Sequence, residues 1–344
     1  METNRLLEKD SFGELWPYVM DESITDIDIN DGIVWTRDIN LRRVNTGIVL
    51  DPGFVNFFTN RVANMVSGQL NPSSPILESE TPTLRFSIIH EASTMTGRSI
   101  CIRKTLPKVR LTEESAIAQG YMTPEIMNFL ANCVKAKMSI VIGGEVGVGK
   151  TECIKFLSRY IDDAERIATI EDSPELHYKE IYPGRDCVAL KVANRMSYAQ
   201  AIKATLRQNV SRIILAEARS TEVKDLIECI STGMSSISTV HTDDVRNIPS
   251  RFLNMMPSRN DADRLSNDVY TYLDVGILIR AKQMPDGKRK RYVDQVGIFN
   301  SNPNRCDLVV KEGKLLLLKE LPDKVKDRFD RCKIADAYRY ERRG

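Results

Sequence analysis

The sequence predicts an α/β protein in two parts: a smaller α+β domain, then a sheet covered by helices on both faces. Three observations carry this. After about Met138, short β-branched runs alternate with amphipathic segments, as a layered sheet requires. Before residue 104 the pattern is one of paired short strands around a hairpin signal. Between an apolar run and a helical one lies a glycine-rich turn, Gly144–Thr151.

The bulk properties agree with two domains. A chain of 344 residues is long for one core, and 42% hydrophobic with 28% charged residues is a normal globular balance. A formal net charge of only +2 gives no electrostatic case for a nucleic-acid partner. Seven cysteines, at 101, 133, 153, 187, 229, 306 and 332, form no CxxC pair. They read as reduced thiols of a cytosolic protein and argue against zinc. No apolar run approaches the roughly 20 residues of a membrane helix. The opening METNRLLEKDSFGELW has no apolar signal core. The expectation is a cytoplasmic protein whose membrane contact is peripheral or made through a partner.

Residues 1–104 are expected to form the α+β domain. ITDIDIN and GIVWTRDI read as two strands turned by Asp31-Gly32. Residues 54–68 have helical spacing of Phe54, Phe57, Val62 and Met65, with Gly68 suited to the end. TLRFSIIHE and SICIRK read as two more strands. Residues 105–137 read as a link, interrupted at Pro107 and Pro124, with Thr123 set to cap a helix. Residues 138–344 form the second domain. Its strands are MSIVIG, RIATI, RIILAE and SISTV, with helices near 150–160, 197–206, 220–231 and 244–256. Residues 274–299 read as a hairpin with its tip at Pro285-Asp286-Gly287. A short apolar strand, LLLL, and a charged helical end follow.

The strongest chemical signal is Gly144-Glu145-Val146-Gly147-Val148-Gly149-Lys150-Thr151, followed by Glu152. Its spacing is that of the Walker A loop, G-x-x-x-x-G-K-[ST]. The glycines let the backbone curl so that its N–H groups face phosphates, and the helix amino end adds partial positive charge. Lys150 suits the β- and γ-phosphates of ATP, and the Thr151 hydroxyl suits magnesium (Mg2+). Two strands end in acids on the same edge. Glu217 is expected as magnesium-side acid and general base, and Glu171 as the second acid, positioning water or magnesium. Asp172-Ser173-Pro174 could instead cap the next helix. His241 ends the next strand, where it could touch the γ-phosphate; a plain structural role competes with that reading. His90 and His177 have no such context. The run Lys288–Arg291 reads as a solvated hairpin tip, with phosphate contact as the alternative.

In this order, these segments resemble the secretion ATPase superfamily that powers type II and type IV secretion, conjugation and type IV or Flp-type pili. The likeness covers about residues 20–300. Gly144–Thr151 is similar to its phosphate loop, TIED (169–172) to its aspartate box, LRQNVSRIILAEAR (206–219) to an atypical Walker B, and STGMSSISTVH (231–241) to its histidine box. The family usually has Pro-Asp at Val210-Ser211, Gly at Ala216, His at Met234 and Gly at Ser236; the acid and the final histidine are kept. No tetracysteine zinc module is present, which leans toward the shorter conjugation or Flp-pilus type. The resemblance implies a RecA-like P-loop ATPase domain behind a PAS-like domain, and a hexameric homo-oligomer. The ring would dock on inner-membrane platform or secretion-channel proteins, with no sequence-specific nucleic acid. It also implies that Arg85 and Arg103 reach the γ-phosphate. The alternatives are a RecA-like nucleic-acid motor, or an ATP-regulated assembly ring with little turnover.

Overall fold

The computed structural model describes residues 9–193, 195–256, 262–286, 288–316 and 320–341. They form two compact units, Met1–Leu106 and Pro107–Gly344.

The first unit is built on one antiparallel sheet. Its strands are β1 (Ile24–Asn30), β2 (Ile33–Asp38), β3 (Arg43–Val49), β4 (Ile76–Glu80), β5 (Leu84–Ile89) and β6 (Ser99–Lys104), in the order β3-β2-β1-β6-β5-β4. The expected β1–β2 hairpin is there. Asp31 and Gly32 have φ of 49° and 77°, the left-handed pair that a tight two-residue turn demands. One face carries Ile27, Ile29, Phe86, Ile88, Ile100 and Ile102, all buried. The helix Pro52–Met65 supplies Val55, Phe58 and Val62 to the same core, and the Asp51 side chain accepts the N–H groups of Gly53 and Phe54 at its start. The buried stripe is thus displaced from the expected one. Phe57 is 46% exposed, because Phe58 is the ring that meets Phe12 and Phe86, at 5.6 and 6.1 Å between centroids. On the other face, Arg37, Asp26, Arg103, Arg85 and Glu80 stand opposite one another in a row across five strands.

The second unit has a mixed nine-stranded sheet. Its strands are β7 (Ile140–Gly143), β8 (Ile167–Glu171), β9 (Cys187–Lys191), β10 (Arg212–Leu215), β11 (Ser235–Val240), β12 (Val275–Gln283), β13 (Arg289–Asn300), β14 (Arg305–Lys311) and β15 (Lys314–Leu315). The order is β15-β14-β13-β12-β7-β11-β10-β8-β9. From β12 to β9 every pairing is parallel, and β13 to β15 extend it antiparallel. β7, β10 and β11 are buried at every residue, as strands covered on both faces are. The helices Lys150–Ser158, Tyr198–Thr205, Glu222–Ser231 and Ile248–Met255 fall where alternation puts them. Strands β9 and β14 give weak sequence signals, since β9 is half-exposed and β14 is led by polar residues. The hairpin read over 274–299 is β12–β13, and β12 also joins β7 in parallel. Its tip residue Gly287, and residues 317–318 of the LLLL run, lie outside the described residues.

Two features lock this unit together. Residues 105–137, read as a link, hold the helix Pro124–Lys135, whose Ile126, Phe129, Leu130, Cys133 and Val134 enter the core beside β7 and β12. Wholly buried Arg212 ties that helix to the sheet, donating to Glu165 at 3.1 Å and to the Val134 carbonyl at 2.8 Å. At the sheet's amino edge, Asp274 accepts the Ser139 N–H at 2.8 Å and meets Lys324 at 2.9 Å and Arg328 at 3.5 Å. Both cations come from the helix Asp323–Arg331.

Candidate active site

β7 ends at Gly143, and the chain curls before entering the helix at Lys150. Gly144, Gly147 and Gly149 have φ of 149°, 77° and 94°, which L side chains rarely adopt. A Cβ on Gly144 would lie 2.7 Å from the Ile279 carbonyl oxygen, so the loop enters hard against β12. Val148 is buried and anchors the loop, whereas Val146 is 78% exposed at its crown. The geometry is a left-handed glycine curl closed by a helix amino end, and it suits a polyphosphate.

Strand order explains which residues gather there. β11 is the direct neighbour of β7, β10 comes next and β8 after that. Their carboxyl ends therefore deliver His241, Glu217 and Glu171 in sequence along one edge, beside the loop. Lys150 Nζ donates to the Gly144 and Glu145 carbonyls at 3.0 and 2.9 Å and meets His241 Nδ1 at 3.2 Å. His241 Nε2 lies 2.9 Å from Glu217 Oε1. Glu217 Oε2 meets Arg219 at 2.8 Å, and Arg219 reaches Asp172 at 3.0 Å. One continuous polar chain thus runs from the loop lysine across three strands. Burial draws the Lys150 ammonium down to about 8, with Glu217 and Glu175 pulling it back up.

Glu171 sits differently. Its Oε2 accepts the N–H groups of Glu175 and Leu176 at 2.8 and 2.9 Å, so it folds the following loop back on itself. Burial pushes its carboxyl up to about 7, against those two donors. The fold-back brings a different acid to the helix start: Thr151 Oγ1 donates to Glu175 Oε2 at 3.3 Å. Glu175 was not singled out in the sequence; the available signal was an acid four residues past a strand-end acid. Glu152 turns away from the cradle and accepts the N–H groups of Arg110 and Leu111. Glu222, also missed, accepts the Arg219 and Ser220 N–H groups and fixes the turn after Glu217.

Thr151, Glu175 and Glu217 offer hard oxygen donors, the set that magnesium prefers. No group of three or more His, Cys, Asp or Glu side chains poised to hold a metal occurs among the described residues. In the first unit, Arg85 and Arg103 are direct partners across β5–β6. Arg85 meets Glu78 at 3.3 Å and Arg103 meets Asp26 at 2.9 Å. No helix among the described residues is long and apolar enough to cross a membrane.

The basic run is not a uniform solvated tip. Lys288 pairs with Asp286 at 3.6 Å near the turn. A Cβ on Gly120 would lie 2.7 Å from Lys290 Nζ, and Arg291 donates to the Gly147 carbonyl at 3.4 Å.

The chain is similar to known proteins. VirB11 of the Brucella suis type IV secretion system is 26% identical over 329 residues, covering 85% of this chain and 90% of that protein. An uncharacterised protein of Bacillus anthracis is 25% identical over 261 residues, 75% of this chain. The match spans 59% of that longer protein. Among solved structures, the pilus retraction motor PilT with bound ADP superposes with a TM-score of 0.64 at 16% identity, over 93% of this chain and 86% of PilT, a likeness of fold. The sequence profile described as "Type II/IV secretion system protein" matches residues 76–314, taking in β4 to β6 and every strand of the second unit that borders the phosphate loop. With that span covered, the chain belongs to the type II/IV secretion system protein family.

Proposed function

We propose that this chain is a RecA-like P-loop ATPase working as a hexameric ring, which powers type IV secretion, conjugation or pilus assembly from the cytoplasmic face of the inner membrane. The carrying observation is the polar chain Lys150–His241–Glu217–Arg219 beside a left-handed, glycine-built cradle. In this reading Gly144–Thr151 wraps the phosphates of ATP, and Lys150 exchanges its carbonyl partners for the β- and γ-oxygens. Thr151 and Glu175 would hold magnesium, which supplies neutralisation of phosphate charge. Glu217, gripped at both oxygens, orients the attacking water and takes its proton, and His241 links that carboxylate to Lys150. Glu171 serves by shaping the loop that carries Glu175. Arg85 and Arg103, on the PAS-like first domain, are the guanidinium pair offered to a γ-phosphate. The relatives' printed names, a type IV secretion protein and a pilus retraction motor, support the motor reading.

Phosphate release from MgATP tests it. Glu217→Gln should lower kcat about 100-fold while binding nucleotide as before. Lys150→Ala should lose nucleotide binding. A folded wild-type protein that binds no nucleotide would overturn the reading. Wild-type turnover in Glu217→Gln would remove the role given to that acid.

A further inference from the structure

We infer that Arg291, on β13, is a positioning residue that braces the phosphate loop from its outer side; the inference rests on nucleotide binding at Gly144–Thr151. Two of the loop's carbonyls, those of Gly144 and Glu145, accept from Lys150, and the Gly147 carbonyl needs a partner of its own. Arg291 fills that need. Its guanidinium donates to the Gly147 carbonyl at 3.4 Å, and a Cβ on Gly149 would lie 3.6 Å from Arg291 Cδ and 3.9 Å from Nε. The side chain therefore lies along the outside of the Gly147–Gly149 turn, in van der Waals contact with it. Two residues on, Val293 is buried in one core with Val148, Cys153 and Ile154, which fixes the strand that carries Arg291 against the loop and its helix.

The same ribbon reaches the other parts of the site. β12 places the Ile279 carbonyl against Gly144, where the loop begins. Arg280 donates to the Asp243 carbonyl at 2.7 Å and to Asp294 at 2.8 Å, and Gln295 accepts the Val245 N–H at 2.9 Å. These contacts hold the turn that follows His241. β12 and β13 thus grip the loop's entry, its crown and the histidine turn at once, and Arg291 is the polar contact at the crown.

The physical effect is on the peptide between Gly147 and Val148. A cation on the Gly147 carbonyl polarises that unit and strengthens the Val148 N–H as a donor toward phosphate. It also holds the left-handed glycines in the conformation that nucleotide needs, so less ordering remains to be done on binding.

The test uses the full chain and a fluorescent ADP analogue with magnesium. Arg291→Ala should weaken binding about five- to tenfold, the effect of one charge-assisted contact. Hydrogen exchange of the Val148–Lys150 amides in the nucleotide-free protein should quicken. Arg291→Lys should recover part of both. Lys288→Ala removes the same charge from the same hairpin but pairs only with Asp286 in the described contacts, and it should bind as wild type. If Arg291→Ala binds as tightly as wild type with unchanged exchange, the inference is wrong. Equal weakening in Lys288→Ala would also sink it, since general charge would then suffice. A wild type that binds no nucleotide at all would instead defeat the ATPase reading.

Discussion

Burial draws the Lys150 ammonium from 10.5 to about 8, so the nucleotide-free protein loses that proton as pH rises through 8. A bound phosphate tail restores the charge, and binding then takes up a proton above that point. Affinity for ADP, measured without divalent metal, should be level below pH 8 and fall by up to about tenfold per pH unit above it. Level affinity through pH 9.5, in a protein still folded, would contradict this. Single residues were legible where a strand told their position. Glu217 and His241 follow RIILA and SISTV, short β-branched runs of the kind found in a doubly covered sheet. Glu175 was not, because it reaches Thr151 only through a loop folded by two backbone donors to Glu171. Arg291 hid in a basic run whose composition spoke of solvent, while its place on β13 turns it to the loop.

At the scale of elements, the β5–β6 register makes Arg85 and Arg103 direct cross-strand partners, and like charges so placed cost stability unless anions offset them. Their neighbours differ. Glu78 is 57% exposed, so its pairing with Arg85 contributes little. The Asp26 side chain is 10% exposed, so removing Arg103 leaves a nearly buried carboxylate short of a partner. Arg85→Ala should therefore change thermal stability hardly at all, and Arg103→Ala should cost about 1–2 kcal/mol. Both should reduce turnover if the pair serves the γ-phosphate; full turnover in both would remove that role. The two strands were readable from TLRFSIIHE and SICIRK, while their pairing was not. Strands β9 and β14 were not, because half-exposed edges of a mixed sheet break the alternation on which such reading depends.

At the scale of the molecule, the second unit begins at Pro107. A fragment of residues 107–344 should fold and bind nucleotide, whereas 138–344 should aggregate, having lost the eight buried residues of Pro124–Lys135 and the Arg212 tie to Val134. Circular dichroism and nucleotide titration of the two fragments decide it. The far end matters too. Asp274 is almost wholly buried, and Lys324 and Arg328 offset its charge. Lys324→Ala should cost about 3 kcal/mol, and Asp274→Asn less, since the charges it strands, Lys324 and Arg328, are partly exposed to water while the Asp274 carboxylate is not. Equal melting temperatures for wild type and Lys324→Ala would refute the latch. Sequence periodicity could not show either tie, because each joins segments far apart in the chain. The parallel register from β12 through β9 has one more consequence. His241 and Glu217 ride on adjoining strands, with Ser238 opposite Leu215, and cannot drift apart while the ladder between them holds. The sheet therefore keeps that contact in register, and any change along this edge has to come from side chains and loops turning against it.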